Sequence, residues 1–351
     1  MTIRELAAEL GVCKSTVAYA LNGSPGVSAK TREFILRRAQ ELGYELNPLT
    51  SALLRQIRSR HSPRIHANLA ALIDSERTTP YRITRELCRG LCQRARQLGL
   101  EVDVINTRHK TSRELMRMLL SRGIEAVAVL PLLRSMGHRR LDWSKFAAVR
   151  FGYSMALPRL HQVVPDHFNA IRTAIRMCQR KGFERIGLLL DKDNHQRSNG
   201  LWLSGYMGLQ QFQSRRAVLR PLMVSASKSS HREIRRWQDR ERPQVVILAR
   251  HDPGKQLPEI LMEHPSPAIP VFLDANPQES RHAGIDQRFS NLGMAMASLL
   301  ARLLVQNERG VPAHPTITHL EGVWVDHPSL RVRGGSGRSR EARPSPAKAP
   351  V

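Results

Sequence analysis

The chain has 351 residues, enough for two or three domains at about 100–200 residues each, which excludes a peptide or a stapled mini-scaffold. Hydrophobic residues make up 41% and charged residues 24%, a globular composition that excludes wholesale disorder. The 55 Lys and Arg against 30 Asp and Glu leave a net charge of +25, which points to a polyanionic partner, nucleic acid first. Part of that charge has a bland source: only nine of the 55 basic residues are Lys, as an Arg-rich genome would give, and the excess is +4 over residues 1–60, +5 over 331–351 and +16 spread between. No apolar run approaches the ~20 residues of a membrane-spanning helix, and MTIRELAAELG is amphipathic rather than leader-like. A cytoplasmic, nucleoid-associated protein with no membrane partner is expected. Cys13, Cys88, Cys92 and Cys178 form no CxxC pair, so reduced thiols and no zinc site are expected.

The first sixty residues read as short helices. Thr2 and Glu5 fit a capping box, and Ile3, Leu6, Ala7 and Leu10 repeat at helical spacing until Gly11. A second helix begins near Lys14, turns Val17, Ala20 and Leu21 inward, and stops at Asn22-Gly23. A third starts from Ser28 as N-cap, buries Ile35, Ala39 and Leu42, and ends at Gly43. Two short helices across a tight Gly turn with a third behind describe a helix-turn-helix. Asn47 then caps a short helix with Pro48 at its first position, and Ser62-Pro63 marks a linker.

This segment resembles the DNA-binding domain of the LacI/GalR family of bacterial transcription regulators. The resemblance is carried by Thr2-Ile3, Ala7-Ala8, Gly11-Val12, Ser15-Thr16-Val17, Leu21-Asn22-Gly23, Val27-Ser28, Lys30-Thr31-Arg32, Leu42-Gly43-Tyr44 and Asn47-Pro48. It implies a lambda-repressor-like domain over 1–46 and a hinge helix and linker over 47–61. Leu53 would wedge between base pairs in the minor groove; the alternative is that Leu53 and Leu54 continue the packing of the third helix.

From His66 strands and helices alternate: ANLAALID, RELCRGLCQRARQLG, EVDVINT, SRELMRMLLSRG, EAVAVLP and FAAVRFGY, then DHFNAIRTAIRMCQRKG, RIGLLLD, LSGYMGLQQFQSR, QVVILAR and AIPVFLD. Alternation of this kind predicts parallel sheets flanked by helices. Its order, and Ile285-Asp286-Gln287 before a long helix, resemble the family's two-lobed, periplasmic-binding-protein-like effector domain with Rossmann-like lobes, here over 62–330. Residues 331–351 are Gly/Ser/Pro/Arg-rich, and a basic disordered tail is expected.

In a helix-turn-helix the second helix enters the major groove, so Lys14, Ser15 and Tyr19 are the candidate base readers and Thr16 the phosphate contact. The resemblance adds Thr2, Asn22, Ser28, Thr31, Tyr44, Asn47, Thr50 and Leu53 to the DNA-binding set. Ala18-Tyr19 stands where the family commonly has Ser-Arg, so the common family operator does not carry over. Cys13 stands where the family has a capping Ser, and a thiol is a poorer acceptor.

Ligands of open α/β folds bind beyond the carboxyl ends of the strands, which nominates Asp74, Tyr81, Tyr153, His251, Asp252 and Asp274 for an effector. Trp202 stands where the family's effector-contacting Arg would precede Gly205-Tyr206, and Arg197 is a substitute donor. Trp202 could stack on a sugar or plug the cleft. Among enzyme signatures no HExxH, GxSxG elbow, Walker A or GxGxxG motif occurs, so no catalytic residue, metal or cofactor is expected. Cys88 and Cys92 read as small apolar residues rather than ligands. The expected function is a sequence-specific DNA-binding regulator, a repressor, acting as a homodimer (a tetramer is possible) on a pseudo-palindromic operator and responding to a sugar-like effector. The alternatives are a cytoplasmic solute-binding protein and a ligand-independent regulator.

Overall fold

The structure is a computed structural model that describes residues 3–21, 27–42, 68–76, 81–133, 137–138, 140–211, 219–224, 230–249, 257–278 and 281–331. The capping box at Thr2, the hinge helix and the tail beyond Arg331 lie outside the described residues. The chain divides into two compact units, 1–63 and 64–351.

In the first unit α1 (Ile3–Glu9), α2 (Lys14–Leu21) and α3 (Ala29–Glu41) enclose Leu6, Ala7, Val17, Ala20, Ile35 and Ala39, with Leu10, Val12, Val27 and Leu42 packed against them. Gly11 adopts φ +62°, a left-handed conformation that favours glycine and turns the chain sharply between α1 and α2. The start of α3 is capped by Ser28, whose Oγ accepts from Thr31 N at 3.1 Å.

The second unit runs in chain order β1 (Asn68–Ile73), α4 (Arg82–Gln97), β2 (Glu101–Asn106), α5 (Ser112–Ser121), β3 (Ile124–Val129), β4 (Gly137–His138), β5 (Ala147–Phe151), β6 (Met155–Leu157) and β7 (His161–Pro165). It continues through α6 (His167–Arg180), β8 (Ile186–Asp191), α7 (Lys192–Arg197), α8 (Leu201–Gln211), β9 (Leu222–Val224), α9 (Ser230–Glu241) and β10 (Val245–Leu248). It ends with α10 (Leu257–Met262), β11 (Ile269–Phe272), β12 (Gly284–Asp286), α11 (Phe289–Val305), β13 (Ile317–Leu320) and β14 (Val323–Val325).

Two six-stranded sheets result, ordered β13-β7-β5-β3-β1-β2 in lobe 1 and β14-β12-β11-β10-β8-β9 in lobe 2. Every described pairing within them is parallel except β12 with β14. Parallel strands need crossovers, and these put a helix layer on each face. In β1 the alternation of side chains sends Leu69, Ala71 and Ile73 against α4 and α11 and Ala70 and Leu72 against α5. Lobe 2 repeats the plan: Leu188 and Leu190 of β8 meet α6 and α8, while Leu189 meets α9 and α10.

Among the described residues the chain passes between lobes after β7, after β12 and between β13 and β14. The second passage follows Ile285-Asp286-Gln287, where Arg288 takes φ +54° before α11 begins.

Several elements were not expected. β7 is buried end to end although it opens on His161 and Gln162, because each polar side chain has partners. His161 binds Thr316 Oγ1 at 2.8 Å and Glu308 Oε1 at 2.7 Å, and Gln162 donates to Gly152 O at 2.6 Å. The helix α9 buries Ser230, Ile234, Trp237, Gln238 and Glu241, a helical stripe too polar to stand out by hydropathy.

Candidate DNA interface and interlobe cleft

The exposed start of α2 is built on Cys13. Its sulfur lies 3.0 Å from Ser15 Oγ and 2.8 Å from Thr16 Oγ1, so both hydroxyls are held at the helix N-terminus. Hydrogen bonds from the Ser15 side chain and then the Thr16 side chain and amide pull the Cys13 pKa down to about 7, as expected of a thiolate stabilised at a helix start. The thiol thus serves in the capping position. Beyond it α2 has two faces: Val17 and Ala20 are buried, whereas Lys14, Ser15 and Tyr19 are exposed, Tyr19 at 49%.

Thr31 closes onto Ser28 at 2.7 Å between hydroxyls, which orients both side chains at the exposed start of α3. Thr2, Asn22, Tyr44, Asn47, Thr50 and Leu53 lie outside the described residues.

The cysteines differ sharply in chemistry. Burial pushes Cys88 and Cys178 up to about 12 and also raises Cys92. Iodoacetamide is therefore expected to label Cys13 first. The rate should rise with pH about a midpoint near 7, because deprotonation creates the nucleophile. Mass mapping of the labelled peptides checks this. Equal labelling of Cys13 and Cys88 at neutral pH would contradict it.

In unit 2 the ends of the parallel strands bring several nominated residues together. Asp74, after β1, accepts from Leu133 N at 3.1 Å and lies 3.8 Å from Arg108. Tyr81 is the residue before α4. Asp274, after β11, is met from lobe 1 by Arg82, which donates to its carbonyl at 3.0 Å and lies 3.8 Å from its carboxylate. Arg197 comes from lobe 2 and donates to Leu132 O at 2.9 Å and Leu133 O at 2.5 Å. Its third nitrogen meets Asp193 at 2.5 Å, so each of the three guanidinium nitrogens has an acceptor within the protein. His251 and Asp252 lie outside the described residues.

Trp202, the second residue of α8, is only 6% exposed, packed into the lobe 2 core. His167, the first residue of α6, stands against it edge to face, ring centres 4.7 Å apart, and Tyr153 lies 6.3 Å from His167. Burial drives the His167 pKa down to about 3, so the imidazole is neutral at physiological pH. Neither Trp202 Nε1 nor His167 Nδ1 has a hydrogen-bond partner, and both atoms are sealed from solvent.

Arg82 and His167 were not foreseen. Arg82 reads in sequence as an ordinary helix-start residue, and His167 needed the unrecognised strand β7 to be placed. Arg197 was foreseen as a ligand donor, but here it binds carbonyls of the opposite lobe.

Residues 2–47 match the model of the family described as bacterial regulatory proteins, lacI family. The HTH-type transcriptional regulator MalR of Streptomyces coelicolor is 30% identical over 202 residues, which is 54% of this chain and 54% of that protein. The chain thus matches about half the length of this curated relative. By structure, the Lac repressor dimer bound to operator and the anti-inducer ONPF aligns with a TM-score of 0.54 at 17% identity, covering 95% of this chain and 99% of that one. The transcriptional regulator CelR-cellobiose complex aligns with a TM-score of 0.54 at 18% identity, covering 94% and 99%. At these identities the structural likeness speaks for the fold.

Proposed function

We propose that this chain, which belongs by its N-terminal domain and its fold to the LacI/GalR family of bacterial regulatory proteins, is a sequence-specific DNA-binding transcriptional regulator and not an enzyme. The observation that carries this is α2. Its inner face is spent on the helix-turn-helix core, and its outer face offers Lys14, Ser15 and Tyr19. Lysine can donate to guanine O6 and N7, a serine hydroxyl can pair with several bases, and a tyrosine can pack its ring on a thymine methyl. Thr16 is aimed at phosphate, and Thr2, Asn22, Ser28, Thr31, Tyr44, Asn47, Thr50 and Leu53 complete the proposed interface.

One such module gives little contact, so we read the working form as a homodimer repressing from a pseudo-palindromic operator, in the cytoplasm. The Lac repressor match is itself a dimer on operator DNA, which supports this reading. Selection of bound sequences from random DNA tests it. A palindromic motif is expected, and recovery of salt-sensitive, sequence-independent binding alone would sink the proposal.

For the second unit we propose an effector module. Asp74, Tyr81, Tyr153, Arg197, Trp202, His251, Asp252 and Asp274 would form a cleft for a neutral, sugar-like ligand, a reading supported by the cellobiose-bound match. A second reading, a ligand-independent regulator, is favoured by the sealed indole nitrogen of Trp202 and by Arg197, each of whose nitrogens already has a protein acceptor.

A further inference from the structure

We propose that Arg197 is an interlobe latch: the chain closes its own cleft with this guanidinium, so that no small molecule is required to draw the two lobes together. The inference rests on reading the second unit as the effector module. The latch crosses from α7 in lobe 2 to the loop after β3 in lobe 1, where its two terminal nitrogens reach the carbonyls of Leu132 at 2.9 Å and Leu133 at 2.5 Å. A planar guanidinium suits such a pair of acceptors because its forked N–H groups point in parallel. Asp193, one turn earlier on α7, takes the third nitrogen and sets the direction of the side chain.

The receiving carbonyls are equally well fixed. Leu130 N donates to Leu72 O at 3.0 Å, Leu132 N to Ser154 Oγ at 2.9 Å and Leu133 N to Asp74 Oδ2 at 3.1 Å. Lobe 1 thus presents two preset acceptors, and lobe 2 a preset pair of donors. With the Arg197 side chain 16% exposed, these bonds are largely shielded from competing water.

A second strap runs the other way. Arg82 at the start of α4 donates to Asp274 O, is oriented by Glu86 at 3.1 Å, and lies over the Phe289 ring at 5.6 Å. Two arginines from opposite lobes therefore clamp the strand ends. A ligand reaches the cleft interior only in the fraction of molecules whose latch has opened, which lowers its apparent affinity by that fraction.

The test uses the full-length protein with Cys13→Ser, spin labels at the exposed lysines Lys110 of lobe 1 and Lys192 of lobe 2 after their change to cysteine, and pulsed electron-spin distance measurement without ligand. Burial raises the pKa values of Cys88, Cys92 and Cys178, so they are expected to label more slowly, and the Cys13→Ser protein without the two added cysteines is the control for their background signal. A single short distance is expected with Arg197 intact. Arg197→Ala should shift the open population from about a tenth or less to the larger part, and Arg197→Lys, with one donor point, should fall between. If Arg197→Ala does not fold, Asp193→Asn serves: it leaves both carbonyl bonds possible but frees the guanidinium, and a partial shift is expected. An unchanged distance distribution in the variant that folds overturns the latch. DNA selection is scored separately, so its failure would count against the regulator and leave the latch result standing.

Discussion

Gly90→Ala is expected to destabilise the second unit by about 3 kcal/mol or more, at or above the upper end of the usual range for overpacking. At Gly90 an added Cβ would lie 1.7 Å from Ser290 O, and on the facing helix a Cβ at Gly293 would lie 2.1 Å from Leu87 O. The obstacles are backbone atoms, which cannot swing aside like the end of a side chain, so α4 and α11 would have to separate. Both helices cover the same face of the lobe 1 sheet, with Leu87, Leu91, Leu292 and Met296 fully buried between them. Separation would therefore open cavities along the whole contact.

Gly208→Ala is the internal control with the opposite sign. It lies within α8 and an added Cβ meets nothing within 4 Å, so relief of the glycine's backbone entropy should stabilise by roughly 0.5–1 kcal/mol. All four tryptophans, Trp143, Trp202, Trp237 and Trp324, fall in the second unit, so thermal unfolding followed by their fluorescence reads that unit alone. For a unit of this size 3 kcal/mol corresponds to a fall of about 6–12 °C. A Gly90→Ala midpoint within a degree of the parent would show that the two helices are not locked together as described.

Lys14→Ala with Tyr19→Ala is expected to abolish measurable discrimination between the selected operator and a scrambled duplex. Each good base contact is worth about 1–3 kcal/mol of discrimination, and in the proposed dimer both copies of α2 would lose two. The helix-turn-helix itself should survive, because both side chains are exposed while Val17 and Ala20 hold the core. The single variants separate the roles. Tyr19→Ala should weaken operator binding and leave scrambled DNA untouched, whereas Lys14→Ala should also flatten the salt dependence through the lost charge. Titration of both duplexes at two fixed salt concentrations is the measurement. Equal losses on operator and scrambled DNA would mean that α2 touches only the phosphates.

The three N-terminal helices were legible because their signals are local. A Gly turn, a Ser cap and apolar residues at helical spacing each act within one or two turns of chain, and the structure places Val17, Ala20, Ile35 and Ala39 inside as that spacing requires. The central strands of both lobes were legible for a related reason. A parallel strand covered on both faces carries a near-continuous apolar run, as LAALI does within NLAALI and IGLLL within IGLLLD. Where burial is achieved with polar side chains the signal fades. HQVVP became a strand because residues 147 and 155 positions away supply partners for His161, and SHREIRRWQDRE became a helix whose buried stripe includes Gln238 and Glu241.

The amino-acid sequence by itself determined the three N-terminal helices, the apolar central strands and which side of α2 stays free, since these follow from periodicity and from caps within a few residues. Tertiary structure alone decided the chemistry of the cleft. Whether Arg197 greets a ligand or the opposite lobe depends on where the carbonyls of Leu132 and Leu133 lie, 64 to 65 positions away in the chain. A long charged side chain carries no record of its direction. Its partner is chosen by distance in space, which folding sets and local spacing does not.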